Sequence, residues 1–478
     1  MKVFDISSRK TVPCDRENRI ESHVPATSSW VPHDRFLNSH PFDTPKGMSV
    51  LRPIPSIDPI RCDPSSLFAA CELGSNDLET LFCSLDTVRQ ECSKGSLAEV
   101  LTIPEQLLGD YSQQRSTSSL FQILQVARNI REAVDRVVLL GDGITHGIRL
   151  LLRTCCHPFH NELSRGDRGG RPRLTFAPYP IDNDSFEGLL DLLLAPASNT
   201  DLLDRWSVLA IDSCGTSLDA AAASRVLLAR LTERTHAEHS ALGFHFHPLA
   251  HHDAPLMRFA RALGYSDACE LPERSGGHLI FSAAGLVPAS IVGIDVVRLL
   301  EGAAAMSRRF RESPPHLNPV LQFVGACRIS QQRFTLEQRH FQSNHLSLAG
   351  LGNWYRSLEM QQRPLQAPQS NRVPIIDRYS SFDSTLIHLK VSHSRRDRLR
   401  LPPMDRTSDE LDRFVGSFWQ DLPEAFASVE SLRCKSLGQP SVNLLIEQID
   451  EYTVGQLLQL FSLSFLMEHA IHFPNETF

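Results

Sequence analysis

An alternation of short apolar runs with helical patterns, between residues 118 and 247, constrains the fold most strongly. The apolar runs are strand-sized and lie at residues 136–140 (RVVLL), 173–177 (RLTFA), 207–211 (SVLAI) and 242–247. Strands that alternate with helices at this spacing predict βαβ units and a parallel sheet. Ligands of such sheets bind in the loops that follow the carboxyl ends of the strands. The loops at 141–146 and 212–217 are therefore the first places to look for a site.

Composition and cysteine usage narrow the class of protein. The 478 residues exceed one ordinary domain, and the net charge of −7 does not favour nucleic acid as a partner. None of the eleven cysteines forms a Cys-x-x-Cys pair, so we expect reduced thiols and no disulfide framework. The N-terminus lacks an apolar signal region, and no run of about eighteen apolar residues occurs. These features predict a cytoplasmic protein without a membrane span.

The flanking sequence has a different character from the α/β region. Residues 1–65 are rich in Pro, Ser, Asp and Arg and predict a poorly ordered extension, whereas residues 66–119 carry helical patterns. A second α/β region is predicted to begin near Asn318. The last helix is predicted from Thr453 to about His472, with one apolar face formed by Val454, Leu457, Leu458, Leu460 and Phe461.

Four segments resemble the glucose-6-phosphate isomerase family, in particular its bacterial branch. They are GGHLIFSAAGLVPASIVGIDVVRLLEGAAAM at 276–306, CCHPFHNELSRGDRGGRPRLTFAPYPIDNDSFEGLLDLL at 155–193, LGNWYRSL at 351–358 and EYTVGQLLQLF at 451–461. The resemblance implies an α/β fold with two sugar-isomerase (SIS) subdomains, each a three-layer α/β/α unit with a parallel sheet, plus a helical N-terminal segment and a C-terminal helix. It also implies a homodimer, a sugar phosphate as ligand and no cofactor.

These expectations divide the chain into four parts. We expect an extension at 1–65, a helical segment at 66–119, a first SIS subdomain at 120–315 and a second at 316–478. The family ends in a motif like NPFDQPGVExxK, and this chain stops about where that motif would begin, so we expect the second subdomain to be truncated.

Aldose–ketose isomerisation requires a carboxylate base, an acid that opens the ring, and a cation beside the enediolate. By the resemblance, the cation position holds His278 in place of arginine, and histidine lacks the planar two-pronged donor of arginine. The base position holds Gln361, whose amide cannot abstract a proton, and the position of the ring-opening histidine holds Thr385. Glu359 and His388 are the nearest possible substitutes for the base and the acid.

Both loops that would surround the phosphate also depart from the family pattern. The family loop Ser-Lys-Ser-Gly-[Gly/Thr]-Thr reads Asp212-Ser213-Cys214-Gly215-Thr216-Ser217 here. Gly215, Thr216 and Ser217 keep weak phosphate-binding capacity through backbone and hydroxyl donors, whereas the Asp212 carboxylate would repel an anion. In the first loop Gly141 and Gly143 match the family glycines and Thr145 is a further candidate residue, but Ile144 replaces the third glycine, which favours an ordinary βα turn.

Two further clusters carry side chains that could bind a ligand. His245, His247, His251, His252 and Asp253 have metal-ligating chemistry, but the resemblance places this stretch at the end of a strand and in the loop after it, and we expect no metal. The basic run at 394–400 is interpreted as a solvated loop.

The sequence is compatible with three functional hypotheses. The first is a catalytically inactive or strongly impaired isomerase homologue that keeps phosphosugar or subunit binding. The second is an active glucose-6-phosphate isomerase of glycolysis and gluconeogenesis that uses replacement residues. The third is a non-catalytic interaction partner of a complete isomerase.

Overall fold

The computed structural model describes fourteen stretches of the chain. They are residues 58–93, 97–141, 144–178, 182–194, 202–213, 218–235, 246–265, 269–271, 277–336, 338–361, 384–397, 399–403, 411–418 and 440–472. No helix in these stretches is both long and apolar enough to cross a membrane.

The described strands form two sheets. In chain order they are β1 Ile60–Asp63, β2 Arg136–Gly141, β3 Arg173–Phe176, β4 Trp206–Asp212, β5 Phe246–Ala250, β6 Cys269–Glu270, β7 Gln338–Ser343, β8 Ser384–His393 and β9 Ser441–Gln448. The first sheet has the order β3-β2-β4-β5-β6, and the second has the order β1-β9-β8-β7.

The α-helices are numbered in the same way. They are α1 Ser65–Ala70, α2 Ser75–Cys92, α3 Leu97–Gln113, α4 Ser119–Ala133, α5 Ile144–Cys155, α6 Asn183–Leu194, α7 Leu218–Thr235, α8 Pro255–Ala262, α9 Ala283–Ile291, α10 Val296–Glu312, α11 Pro319–Phe334, α12 Leu351–Gln361 and α13 Glu451–His472. A short 3-10 helix, Gly277–Phe281, precedes α9.

The first sheet is parallel throughout and follows the doubly wound order. Strands β2 and β4 are adjacent and almost wholly buried, as expected for strands covered by helices on both faces. The predicted strands at 136–140, 173–177 and 207–211 are confirmed. The fourth was predicted at 242–247 and is observed at Phe246–Ala250; residues 242–245 lie outside the described part. Strand order reverses between β2 and β4, so their carboxyl ends form the crevice where such sheets bind ligands.

The second sheet departs from the prediction at one edge. Strands β7, β8 and β9 are parallel, but β1 pairs antiparallel with β9, with Ile60 opposite Ile446. The sequence placed residues 60–63 in a poorly ordered extension, and that expectation is wrong for this strand. Its apolar pattern is too short to reveal a partner that lies in the C-terminal region of the chain.

The C-terminal helix is buried in the core on all its faces and does not pack on the core with one apolar face alone. It begins at Glu451 and ends at His472, close to the predicted bounds, but all residues from Tyr452 to Met467 are buried. The expectation of a single apolar face is therefore wrong. The buried amide of Gln459 donates to the Ser307 hydroxyl at 2.9 Å, which satisfies part of the polar surface that enters the core.

Two glycines allow α10 and α13 to pack with their backbones in contact. A Cβ atom on Gly302 would overlap the carbonyl oxygen of Tyr452, and one on Gly455 would overlap the carbonyl oxygen of Leu299. Gly302 belongs to LLEGAAAM and Gly455 to EYTVGQLLQLF, so these two segments specify a helix–helix contact.

A buried ion cluster fixes the long connection between α5 and β3. The Asp135 carboxylate, which has no solvent exposure, is 2.8 Å from Arg165, 2.6 Å from Arg168 and 2.5 Å from Arg173. All three arginines lie in the segment 155–193. The connection is thus anchored to the start of β2 by charge.

Candidate functional site

The first loop of the crevice follows β2. A Cβ on Gly141 would lie 2.9 Å from the carbonyl oxygen of Ile211 on β4, so glycine is required here by close strand packing. Thr145, in the first turn of α5, is buried with 8% exposure. Gly143 lies outside the described residues.

The second loop follows β4. Asp212 is the last residue of that strand and has no solvent exposure, and Ser213 beside it is also buried. The Ser213 carbonyl is 3.1 Å from Nε2 of His251, which follows β5. The predicted phosphate-binding residues Gly215, Thr216 and Ser217 lie outside the described residues. The described residues at the end of β4 are therefore buried.

Three predicted site elements converge beside this crevice. A Cβ on Gly147 of α5 would lie 2.8 Å from the Ile280 side chain of the 3-10 helix and 2.9 Å from Trp354 of α12. The 3-10 helix carries His278, and α12 ends at Gln361, seven residues or about two turns beyond Trp354. The side chains of His278 and Gln361 lie outside the described part. The structure thus brings together the 3-10 helix that carries the predicted cation position and the helix α12 that carries the predicted base position.

Thr385, at the predicted position of the ring-opening histidine, lies on β8 and not on these converging elements. It is buried on β8, and its hydroxyl is 2.5 Å from the Ser330 hydroxyl of α11, so it joins a strand to a helix in the core. His388 is three residues further along β8 and half-buried, and strand alternation puts it on the opposite face of the sheet.

Glu359 is engaged in a largely buried ion cluster. Its carboxylate is 2.7 Å from the Arg339 guanidinium, and Arg339 is also 2.5 Å from Glu468. Arg339 is 14% exposed, and the two carboxylates around it help to raise its pKa well above the ordinary value despite burial. Burial raises the pKa of Glu468, an effect that Arg339 opposes. This cluster ties β7 to α12 and α13.

Three basic residues that the sequence did not single out as ligands flank the convergence of α5 and α12. His146 and Arg149 are exposed on α5, and Arg356 of α12 is partly exposed. The Arg149 guanidinium stacks over the Phe176 ring at 3.9 Å. The i, i+3 spacing of His146 and Arg149 was visible in the sequence, but the contribution from α12 needs the tertiary fold.

The two other clusters have structural explanations. His252 Nδ1 is 2.7 Å from Glu270 Oε1, and the part of the chain that is described contains no group of three or more metal-ligating side chains. His245 lies outside it. In the basic run, Arg395 lies 3.5 Å from the Cys155 carbonyl and Arg400 stacks over Phe418, so the loop is not purely solvated.

Comparisons with known proteins agree with this architecture. No protein-family model matches the chain. It is 25% identical over 353 residues to glucose-6-phosphate isomerase of Heliobacterium modesticaldum, covering 71% of this chain and 76% of the relative. The corresponding enzyme of Symbiobacterium thermophilum is 23% identical over 350 residues, with the same coverage of each chain.

Solved structures show the same fold. A hypothetical protein from Thermus thermophilus superposes with a TM-score of 0.63 at 20% identity, covering 86% of this chain and 94% of that one. Glucose-6-phosphate isomerase from Chlamydia trachomatis gives a TM-score of 0.57 at 14% identity, covering 83% and 82%.

The parallel first sheet, the largely parallel second sheet and these superpositions show an α/β fold, as predicted, and one that is shared with a solved glucose-6-phosphate isomerase. The resemblance to glucose-6-phosphate isomerases is confirmed by the two curated relatives, which are 25% and 23% identical to this chain.

Proposed function

We propose that this protein is a glucose-6-phosphate isomerase homologue that keeps the fold and phosphosugar binding but has lost efficient isomerisation. The homodimer implied by the resemblance is part of this proposal. The loss of efficient isomerisation is inferred mainly from Glu359, the nearest candidate for the missing base. Its carboxylate forms an ion pair with Arg339 at 2.7 Å.

The position of Glu359 on α12 supports the same conclusion. Trp354 faces α5 and the 3-10 helix, whereas Glu359 faces β7 and α13 through Arg339. Five residues along a helix correspond to a rotation of about 140° between the two side chains. A carboxylate on that side is directed away from the convergence of α5, α12 and the 3-10 helix.

The surroundings of Thr385 add a second line of support. A hydroxyl that is buried against Ser330 cannot exchange protons with a sugar ring. Loss of a single positioned acid or base typically lowers a rate by ~10²–10⁴-fold. Loss at both positions therefore predicts turnover far below that of a complete isomerase.

The test is a coupled assay of fructose 6-phosphate conversion, with the Heliobacterium modesticaldum relative assayed in parallel. We expect turnover at least ~10²-fold below that relative, together with thermal stabilisation of this protein by fructose 6-phosphate. A turnover number of about 1–10³ s⁻¹, as in ordinary enzymes, would overturn the catalytic half of the proposal.

Two carboxylate variants sharpen the assay. Glu359→Gln should leave the residual rate unchanged, as should the control Glu233→Gln, which removes an exposed carboxylate from α7. A rate that falls only in Glu359→Gln would make Glu359 the working base and refute the argument from its ion pair. Absence of any stabilisation by sugar phosphates would refute the binding half and favour a purely protein-binding role.

A further inference from the structure

The amino-terminal edge of the first sheet carries more positive than negative charge. Strands β2 and β3 are adjacent and parallel there, and each begins with an arginine, Arg136 opposite Arg173. Arg165 and Arg168 reach the same edge from the connection between α5 and β3, where both bind Asp135. Four guanidinium groups therefore lie at the start of these two strands, together with a single carboxylate that binds three of them.

Both oxygens of the Asp135 carboxylate are occupied. Oδ1 accepts from Arg165 at 2.8 Å and from Arg168 at 2.6 Å, and Oδ2 accepts from Arg173 at 2.5 Å. Among the described residues, no other carboxylate forms an ion pair with these three arginines or with Arg136. Such an excess of positive charge is costly for groups with limited access to water, and an anion would relieve it.

Arg136 lies beside this cluster and lacks a carboxylate partner among the described residues. Register partners in a parallel pair direct their side chains to the same face of the sheet, so Arg136 and Arg173 leave strands about 4.8 Å apart on one face. Arg136 Nη1 donates to the hydroxyl of Thr175 at 3.1 Å, and Thr175, two residues beyond Arg173, lies on that same face. The pKa of Arg136 is lowered first by burial and then by Arg173, in agreement with this arrangement.

Unused donors remain on both arginines. Within the described part of the chain, Arg136 donates only through Nη1, and Arg173 donates only through Nε and Nη1. The Arg173 side chain is 28% exposed and Arg136 is partly exposed, so a solute can reach the remaining N–H groups. The planar, charged donors of arginine match the oxygens of a phosphate group.

This edge is distinct from the ligand crevice. The crevice lies at the carboxyl ends of β2 and β4, whereas Arg136 is the first residue of β2. Because β2 has six residues, its two ends lie about 17 Å apart at about 3.3 Å per residue. An anion at the amino-terminal edge therefore occupies a second site on the opposite side of the sheet from the crevice.

We propose that Arg136 and Arg173 bind a small phosphate-type oxyanion, with two or more negative charges, at the amino-terminal edge of the first sheet. The anion accepts from the unused donors of both arginines and offsets the excess charge around Asp135. A small ligand is favoured over an acidic protein segment because the Arg165 and Arg173 side chains are only 17% and 28% exposed, and a protein segment would lose more conformational freedom on binding. This site does not depend on the proposed function, because none of its residues lies in the crevice.

The test is isothermal titration of the whole protein with inorganic pyrophosphate, with and without excess fructose 6-phosphate. The wild type should bind pyrophosphate equally well in both conditions, because the two sites are separate. Arg136→Gln should weaken pyrophosphate binding by about tenfold or more, since it removes a charge-assisted contact. Arg136→Lys keeps the charge but not the planar fork and should fall between. Arg230→Gln changes an exposed arginine of α7 and is the matched control, which should bind like the wild type.

ADP is titrated in parallel, because the same diphosphate chemistry occurs in nucleotides and as a free anion. Tighter binding of ADP than of pyrophosphate would assign the site to a nucleotide, and the reverse would assign it to the free anion. Both results support the site when Arg136→Gln weakens the binding.

Three results would overturn the site. They are failure of the wild type to bind either compound, equal affinity of the wild type and Arg136→Gln, and displacement of pyrophosphate by fructose 6-phosphate, which would place pyrophosphate in the crevice. The displacement experiment uses the wild type alone, so it remains decisive if Arg136→Gln does not fold. Failure of fructose 6-phosphate to bind at all would refute the binding half of the proposed function and leave the pyrophosphate results of the variants as the test of this site.

Discussion

Replacement of Asp135 by asparagine removes the shared carboxylate of the buried cluster while keeping the size of the side chain. Arg168 has no solvent exposure, and Arg165 and Arg173 are 17% and 28% exposed, so the variant leaves guanidinium charge in the protein interior. Removing one member of a buried ion pair typically costs about 3–5 kcal/mol. Domain stabilities are only about 5–15 kcal/mol, so this is a large fraction.

The matched control is Glu132→Gln, three residues earlier on α4. Glu132 also pairs with one arginine, Arg128, at 2.8 Å, but the two side chains are 60% and 46% exposed. Exposed pairs of this kind contribute about 0–1 kcal/mol. Both variants remove one negative charge from nearly the same place, so burial and the number of arginine partners are the differences between them.

The difference can be measured as a shift in the thermal unfolding midpoint. Unfolding entropy of about 2.1 cal/mol/K per residue gives about 1 kcal/mol per kelvin for a chain of this length. Asp135→Asn should therefore lower the Tm by about 3–5 °C and Glu132→Gln by no more than about 1 °C. Added salt should reduce the smaller effect and leave the larger one, because buried charges are poorly screened. Equal shifts in the two variants would refute the reasoning.

Three further predictions concern the core. Gly302→Ala should lower the free energy of unfolding by about 1–3 kcal/mol or more, because the added Cβ would overlap backbone atoms. Gly109 has open space around it, so Gly109→Ala should raise the free energy of unfolding by up to about 1 kcal/mol. Urea titrations measure both changes. Burial lowers the pKa of His160, so stability should fall as pH drops below about 6.5 towards that lowered pKa, and His160→Gln should flatten this slope in Tm measurements. Thr385→Val should cost about 1–3 kcal/mol by stranding the Ser330 hydroxyl, and the double variant with Ser330→Ala should recover most of it; no recovery would contradict the hydrogen bond.

The sign of the pH effect follows from proton counting. A histidine with a lowered native pKa binds fewer protons in the folded state than in the unfolded state at pH values just below about 6.5. Acidification in that window therefore favours unfolding, and below the native pKa the effect saturates. A slope that is identical in His160→Gln would assign the pH dependence to other groups, such as His345, whose pKa burial also lowers.

Local sequence determined strands β2, β3 and β4 of the first sheet. Runs such as RVVLL and SVLAI are buried on both faces, so continuous apolar character was enough to identify strands β2 and β4. The glycines of LLEGAAAM and EYTVGQLLQLF were also visible, and the family resemblance that includes them is confirmed. Which backbone each glycine touches was not visible, because the contact joins two helices that are far apart in the sequence.

Only the tertiary structure decided what the candidate side chains do. In the sequence, Glu359 was the nearest possible substitute for the base, and Thr385 occupied the position of the ring-opening histidine by the resemblance. Their roles depend on Arg339 and Ser330, which come from other elements, and an ion pair or hydrogen bond across the core leaves no local pattern. The sequence by itself determined strands β2, β3 and β4, the approximate bounds of the last helix and the family resemblance, since these depend on local periodicity and on segment order. Partners of buried charges, and the meeting of α5 with α12, depend on long-range packing and were decided by the fold alone.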